Sequence, residues 1–187
     1  MRSPFRAPLA AFLFGVCVAC ATTGTSSVSE PEPSVPAATP KEQDAWRALA
    51  RELGPTAGGV ESKSEELQFS LARSAFFDER ATTLEPGGTA LAERIAAVAR
   101  DVGRAVRIEI RLEDAAASQP DASRIAAARG EALRSVFAKA GARSTVVLRT
   151  TPFEGDYDGP LELDPSSGRI DFALVGDDGR ILRGSPE

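Results

Sequence analysis

The stretch from Val106 to Asp114 reads Val-Arg-Ile-Glu-Ile-Arg-Leu-Glu-Asp. Apolar residues occupy every second position, and charged residues stand between them. Because successive side chains of a β-strand point to opposite faces, this alternation predicts a strand with one buried and one polar face. Asp114 follows at the carboxyl end of the strand, which is where ligands gather in many α/β folds.

One helix is predicted before this strand in the chain and one after it. The first begins at Pro86, and its apolar residues recur at every third or fourth position: Leu91, Ile95, Val98 and Val102. The second begins at Pro120 and ends at Gly141. Its apolar stripe consists of Ile125, Leu133, Val136, Phe137 and Ala140.

Three further stretches have the pattern of strands. They cover Leu67–Leu71, Thr145–Leu148 and Ile170–Leu174, and the turn residues after the last of them suggest a short edge strand at Ile181–Leu182. The resulting order is β-α-β-α-β-β. Strands that alternate with helices predict an α/β (α+β) two-layer sandwich, with the helices packed on the sheet.

Composition excludes several classes of function. The chain has no histidine and only two cysteines, and both of these lie within the first twenty residues. We therefore expect no histidine-based catalysis, no metal site and no cofactor in the folded part. The net charge is −5 and no cluster of lysine and arginine stands out, which disfavours a nucleic-acid partner.

The first nineteen residues have the order of a signal peptide. Two arginines precede the apolar run Leu9–Cys17, which is too short to span a membrane as a mature helix. Ala19 and Cys20 resemble the cleavage site of a bacterial lipoprotein, so we expect acyl chains on Cys20. Ala21 favours the outer membrane, with the domain facing the periplasm. A plain secretory signal or a retained anchor is the alternative.

The rest of the chain divides by composition. Residues 20–41 contain the modified cysteine and a tether rich in proline, serine and threonine that cannot bury enough surface to fold. Residues 42–63 form a short helix around Trp46 and a linker that contains Gly54-Pro55. Residues 64–187 form the folded domain.

Arg129 interrupts the apolar stripe of the second helix. It lies four residues after Ile125 and four before Leu133. One interpretation is that its stem packs on the core while its head reaches water. The other is that it is held at the edge of the core to bind an anion. Together with Asp114 it would then bind a group that carries both an ammonium and a carboxylate, although a structural salt bridge is an equally simple role for the pair.

These residues resemble the frame of the OmpA-like domain family over residues 64–176. Phe77-Asp78 and Leu84-Glu85-Pro86-Gly87-Gly88 look like the opening of such domains, where Leu-x-Pro-x-Gly is typical. Asp114 and Arg129 match the family's acid and arginine in type and in their spacing of fifteen residues. Arg169-Ile170-Asp171-Phe172 resembles the closing strand.

The resemblance implies non-covalent binding of peptidoglycan, in which Asp114 and Arg129 hold the diaminopimelate of the peptide stem. Phe77 and Arg169 are weaker candidates for the same site. The chain departs from the family pattern at Arg111-Leu112-Glu113, where Gly-His/Tyr-Thr is usual, and at Gly130, where Ala is usual. Arg111 offers Asp114 an alternative partner.

We therefore expect an envelope lipoprotein that tethers a membrane to the cell wall. The alternative is a degenerate OmpA-like module that binds other envelope proteins, with the acidic stretch Glu154–Asp158 as a candidate surface. An enzyme is not expected, because no acid stands in a recognisable catalytic frame and no serine has a histidine base.

Overall fold

A computed structural model describes residues 36–55, 61–62, 65–113, 120–151 and 168–184 of the chain. These residues belong to one compact unit, which spans Ser34–Glu187. The expected signal peptide, lipidated Cys20, most of the tether, Asp114 and the acidic stretch around Asp156 lie outside the described residues.

The described residues form three α-helices, one short 3-10 helix at Arg73–Ala75 and five strands. The helices are α1 Pro40–Leu53, α2 Pro86–Asp101 and α3 Pro120–Lys139. The strands are β1 Glu61–Ser62, β2 Gln68–Ala72, β3 Ala105–Glu113, β4 Ser144–Thr151 and β5 Arg169–Val175. From β2 onward their order along the chain is the predicted β-α-β-α-β-β, and the two-residue β1 precedes it.

The sheet has the order β1-β2-β5-β3-β4. Strands β3 and β4 are parallel, whereas β5 is antiparallel to both β2 and β3. The last strand, β5, thus lies between β2 and β3, a placement that periodicity alone does not reveal. One edge of the sheet is formed by β4.

The predicted alternation of β3 is confirmed. Val106, Ile108 and Ile110 are buried in the core, and on β5 the alternate residues Ile170, Phe172 and Leu174 are fully buried. Phe172 lies at the centre of an aromatic cluster, and its ring centroid is 5.8 Å from that of Phe69, 5.6 Å from that of Phe76 and 6.4 Å from that of Phe137. These rings join the sheet to α3, which carries Phe137.

The buried face of α2 differs from the predicted stripe. Ile95 is fully buried as expected, but its buried neighbours are the alanines Ala92, Ala96 and Ala99, whereas Leu91, Val98 and Val102 are only partly buried. The larger apolar residues flank a face of methyl groups. The spacing of the large apolar residues therefore predicted the helix correctly. The face that is most buried lies next to the predicted one and consists mainly of alanines.

Helix α1 packs on the same core. Its Trp46 is buried, and the Trp46 ring centroid lies 5.0 Å from that of Phe69. The helix begins with a capping box, in which the Thr39 hydroxyl accepts from the backbone N–H of Glu42 and the Glu42 carboxylate accepts from the backbone N–H of Thr39. Arg104 donates to the same carboxylate at 2.7 Å and so fastens the start of α1 to the loop before β3.

The expected edge strand at Ile181–Leu182 is replaced by isolated bridges. Ile181 bridges Val175, and Arg183 bridges both Ala37 and Glu66. Leu182 is fully buried between them, so this segment closes the core without forming a regular strand. None of the helices in the described ranges combines the length and the hydrophobicity that crossing a membrane requires.

Candidate functional site

Arg129 is buried, with 4% of its surface exposed. Its Nε donates to the carbonyl of Ala81 at 2.8 Å, and its Nη2 donates to the carbonyls of Asp78 at 3.1 Å and Glu79 at 2.7 Å. Its guanidinium carbon lies 5.3 Å from the centroid of the Phe77 ring. Backbone oxygens of the segment 78–81 therefore fix the position of a side chain that is almost fully buried.

The charge of Arg129 has no carboxylate partner among the described residues. Burial lowers the pKa of Arg129 to about 10, and the positive charge of Arg73 contributes to this lowering. The group is still protonated at neutral pH. A buried cation beside another cation, offset chiefly by carbonyl dipoles, is an environment that an anion would stabilise.

The segment that carries these carbonyls is held against the start of α2. The backbone N–H of Glu85 donates to the carbonyl of Phe76 at 2.9 Å, and the backbone N–H of Phe76 donates to the carbonyl of Arg73, also at 2.9 Å. A Cβ atom at Gly88 would lie 2.5 Å from the Cα of Phe76, whereas one at Gly87 would meet no atom within 4 Å. The final glycine of Leu-x-Pro-x-Gly is thus required by the close approach of the backbone at Phe76.

Phe77 is placed beside Arg129, but it is a core residue. Only 1% of its surface is exposed, so its ring supports the guanidinium from the inside. This position suits a residue that orients Arg129, and a contact of Phe77 with a ligand stays a prediction.

Arg169 occupies a different layer from Arg129. It opens β5 opposite Ala72, one position before the core residue Ile170, and so belongs to the polar face of the sheet. Its Nη2 donates to the carbonyl of Ser70 at 3.3 Å. The described contacts do not bring it to Arg129.

Asp114 lies outside the described residues, so its pairing with Arg129 stays a prediction. Its neighbours constrain it along the chain: β3 ends at Glu113, and Arg129 lies on α3, which begins at Pro120. Cys20 also lies outside the described residues.

The polar face of the sheet contains a network that the sequence analysis missed. Asp171 on β5 is buried, accepts a hydrogen bond from the Ser70 hydroxyl, and accepts from Arg111 Nε at 2.6 Å. Glu109 on β3 is the cross-strand neighbour of Asp171 and is also buried. It accepts from Arg107 at 2.8 Å and from Arg149 at 3.0 Å.

This network gives Arg111 a partner on the polar face, because its Nε binds Asp171, and the expected competition for Asp114 stays a prediction. The sequence did contain a signal. Charged residues of both signs alternate with apolar ones along β3. On β5, Asp171 stands between the apolar residues Ile170 and Phe172 in the same way. Only the strand order, which places β5 beside β3, brings the opposite charges together.

Comparison with known proteins identifies the fold. No family model and no curated protein sequence matches the chain. Among solved structures, the cell wall anchor of the type VI secretion system (T6SS) from Pseudomonas aeruginosa matches with a TM-score of 0.50 and 16% identity, over 68% of this chain and 97% of that one. A MotB-like protein from Desulfovibrio vulgaris matches with a TM-score of 0.49 and 17% identity, over 72% and 93%.

The OmpA-like domain of FopA1 from Francisella tularensis matches with a TM-score of 0.42 and 10% identity, over 68% of this chain and 82% of that one. At such identities the similarity concerns the fold alone. The predicted two-layer α/β sandwich is confirmed.

Proposed function

We propose that this chain, whose described domain has the OmpA-like fold, binds cell-wall peptidoglycan without a covalent bond and tethers it to a membrane. The observation that carries the proposal is Arg129, a buried cation with no carboxylate partner among the described residues. A solved protein of the same fold is described as a cell wall anchor.

The donors of Arg129 suit a carboxylate ligand. A guanidinium has five N–H groups, and the hydrogen bonds to carbonyls use those of Nε and Nη2. No residue that the structure describes accepts a hydrogen bond from Nη1. The group is thus oriented by the backbone on one side and has N–H groups left for an oxygen ligand.

Asp114 supplies the complementary charge in this proposal. It directly follows β3, the strand that precedes the helix of Arg129. A carboxylate there would accept from an ammonium while Arg129 donates to a carboxylate, and diaminopimelate in a peptide stem presents both groups. Ligand specificity would then come from the distance between two opposite charges.

The membrane end of the tether is Cys20. Acyl chains there would hold the protein on the outer membrane with the domain in the periplasm, since each buried CH₂ adds roughly 0.8 kcal/mol. The thirteen residues between Cys20 and the compact unit that begins at Ser34 include two prolines, and they would reach on the order of 40 Å at about 3.1 Å per residue. Labelling cells with radioactive palmitate tests this end, because the wild-type chain should carry label and a Cys20→Ala variant should carry none.

Co-sedimentation with purified diaminopimelate-type peptidoglycan tests the wall end. The full chain should pellet with the wall material, whereas Asp114→Ala and Arg129→Lys should lower the pelleted fraction at least about tenfold. Lysine keeps the positive charge but lacks the planar guanidinium that can bind the three carbonyls and a carboxylate at once. Arg149→Lys, a change of the same kind on the polar face of the sheet, is the matched control and should pellet like the wild type.

The outcomes separate the two candidate functions. If the Asp114 and Arg129 variants pellet as well as the wild type, the proposed site is wrong. If the wild type itself stays in solution, the chain does not bind the wall, and the alternative of an OmpA-like scaffold for envelope proteins is favoured.

A further inference from the structure

Strand β4 forms one edge of the sheet in the described part of the chain. It pairs with β3 on one side, and no strand in the described part of the chain pairs with its other side. Val147 and Leu148, near the middle of its eight residues, are the exposed large apolar side chains of the described chain, at 39% and 41% of their surface. They point to opposite faces of the sheet, so each face has one exposed apolar side chain at this edge.

Within β4 itself, the residue types that often prevent pairing between sheets are missing. Natural edge strands are often protected by proline, by lysine, by a bulge or by very short length. Between Ser144 and Thr151 the chain has no proline, no lysine and no acid, and its eight residues pair with β3 in unbroken register. Its single charged residue, Arg149, forms a salt bridge with Glu109 of the neighbouring strand.

We propose that a second copy of this chain pairs with β4 in antiparallel orientation, about a two-fold axis at Val147. Side chains that oppose each other in an antiparallel pair lie on the same face. With the axis at Val147, that residue opposes its own copy, Val146 opposes Leu148 of the second copy, and Thr145 opposes Arg149.

This register is the one that the side chains favour. On the core side it brings Val146, which packs on the hydrophobic core, against Leu148 of the other copy and so extends the core across the axis. On the polar side it keeps the two Arg149 side chains apart. An axis at Leu148 would instead oppose Val147 to Arg149, and an axis at Val146 would oppose Leu148 to Ser144.

The self-complementary pattern favours a second copy over an extended segment of another protein. A single strand pair buries little surface compared with the 1,200–2,000 Å² of a typical stable interface, so we expect weak association in dilute solution. Attachment of both copies to one membrane would raise their effective concentration. That expected strength in cells rests on the proposed lipid anchor, whereas the pairing geometry does not depend on wall binding.

Disulfide cross-linking of the full chain in cells tests the register. A Val147→Cys variant should form a disulfide-linked dimer on mild oxidation, because opposed Cβ atoms are about 4.5–5.5 Å apart and need only a small shift. Thr145→Cys should not, because its own copy lies four positions away, at roughly 13 Å. Co-expression of Thr145→Cys with Arg149→Cys should restore the dimer.

The wild-type chain, with its native cysteines, sets the baseline on non-reducing gels. The proposal is overturned if Val147→Cys gives no dimer above that baseline, if Thr145→Cys alone gives as much, or if the linked product contains a different protein. As an independent measurement, analytical ultracentrifugation of the full chain in detergent should show a concentration-dependent dimer. The Val147→Lys variant should lower its association constant at least about tenfold. A dimer that persists in this variant would also overturn the proposal.

Discussion

Two arginines in this domain are held in contrasting ways. Arg129, on the helix side of the sheet, donates to three backbone carbonyls and has no carboxylate partner among the described residues. Arg111, on the polar face, donates to the buried carboxylate of Asp171. A buried carboxylate neutralises the charge of Arg111 within the structure. Backbone carbonyls orient Arg129 but leave its positive charge unneutralised.

The same contrast appears in how each region is built. On the helix side, a close approach between two backbone segments at Gly88 and Phe76 fixes the oxygens that Arg129 binds. On the polar face, side chains from β2, β3 and β5 meet through charge and hydrogen bonds. Backbone geometry therefore shapes the candidate site, and ion pairs stabilise the sheet behind it.

Gly88→Ala should produce the largest effect, because it breaks the helix-side region at its closest contact. The added Cβ would lie 2.5 Å from Cα of Phe76 and 2.6 Å from its carbonyl oxygen, and backbone atoms cannot move aside as a flexible side chain can. We expect a loss of about 3 kcal/mol in the free energy of unfolding, measured by urea denaturation.

Gly87→Ala is the matched control for that variant. A Cβ at this position meets no atom within 4 Å, and alanine is the better helix former by up to about 1 kcal/mol. The control should therefore be neutral or slightly more stable than the wild type. Equal losses in both variants would show that the helix end, and not the approach to Phe76, is what glycine provides.

Asp171→Ala should produce the next largest effect and should spare the helix side. It leaves the Ser70 hydroxyl and Arg111 without their carboxylate, and we expect a loss of about 2 kcal/mol because Arg111 keeps some contact with water. Adding Arg111→Met should recover part of this loss, since an apolar side chain needs no partner.

Peptidoglycan binding by Asp171→Ala tests whether the polar face of the sheet takes part in function. If the polar face is purely structural, the folded fraction of Asp171→Ala should pellet with peptidoglycan as the wild type does. A loss of pelleting that exceeds the loss of folded protein, measured by circular dichroism on the same samples, would place Asp171 in the binding function and remove the distinction between the two regions.

The sequence predicted the helices and long strands because each has a regular period. Apolar and charged residues alternate along β3, the large apolar residues Ile170, Phe172 and Leu174 stand at every second position of β5, and α3 carries Leu133 and Phe137 on one buried face. Periodicity did not reveal that β5 lies between β2 and β3, because strand order depends on packing between distant segments. The same limit hid the Asp171 network, whose partners Ser70 and Asp171 are 101 residues apart.

The candidate site was predictable in part. Arg129 was singled out because a charged residue interrupted an apolar stripe, and the structure buries this residue, whereas its role in binding stays a prediction. Its carbonyl partners were not predictable, because backbone oxygens leave no trace in side-chain chemistry. Gly88 was visible only through the Leu-x-Pro-x-Gly motif, and the structure supplies its physical reason.

Glu42→Gln should produce the smallest effect, and one that depends on pH. Burial opposes the charged form of Glu42, but hydrogen bonds from Thr39 and Arg104 outweigh it, so the pKa of this carboxyl lies below its ordinary 4.5. Because the folded pKa is the lower one, the charged carboxylate stabilises the fold above about pH 4.5, and this contribution disappears as the pH falls through the folded value.

At pH 7 the wild type should therefore exceed Glu42→Gln by about 1 kcal/mol in the free energy of unfolding, and this difference should shrink as the pH is lowered from 7 through the folded pKa of Glu42. Urea denaturation of both proteins across this range measures the difference, and other carboxylates cancel because they are common to both. A difference that stays constant with pH would mean that packing of the side chain, and not its charge, fastens α1.

Glu42 is held by the backbone of Thr39 as well as by Arg104, so it combines the two modes that Arg129 and Arg111 show separately. The part of the difference that remains at low pH would measure the hydrogen bonds that need no charge.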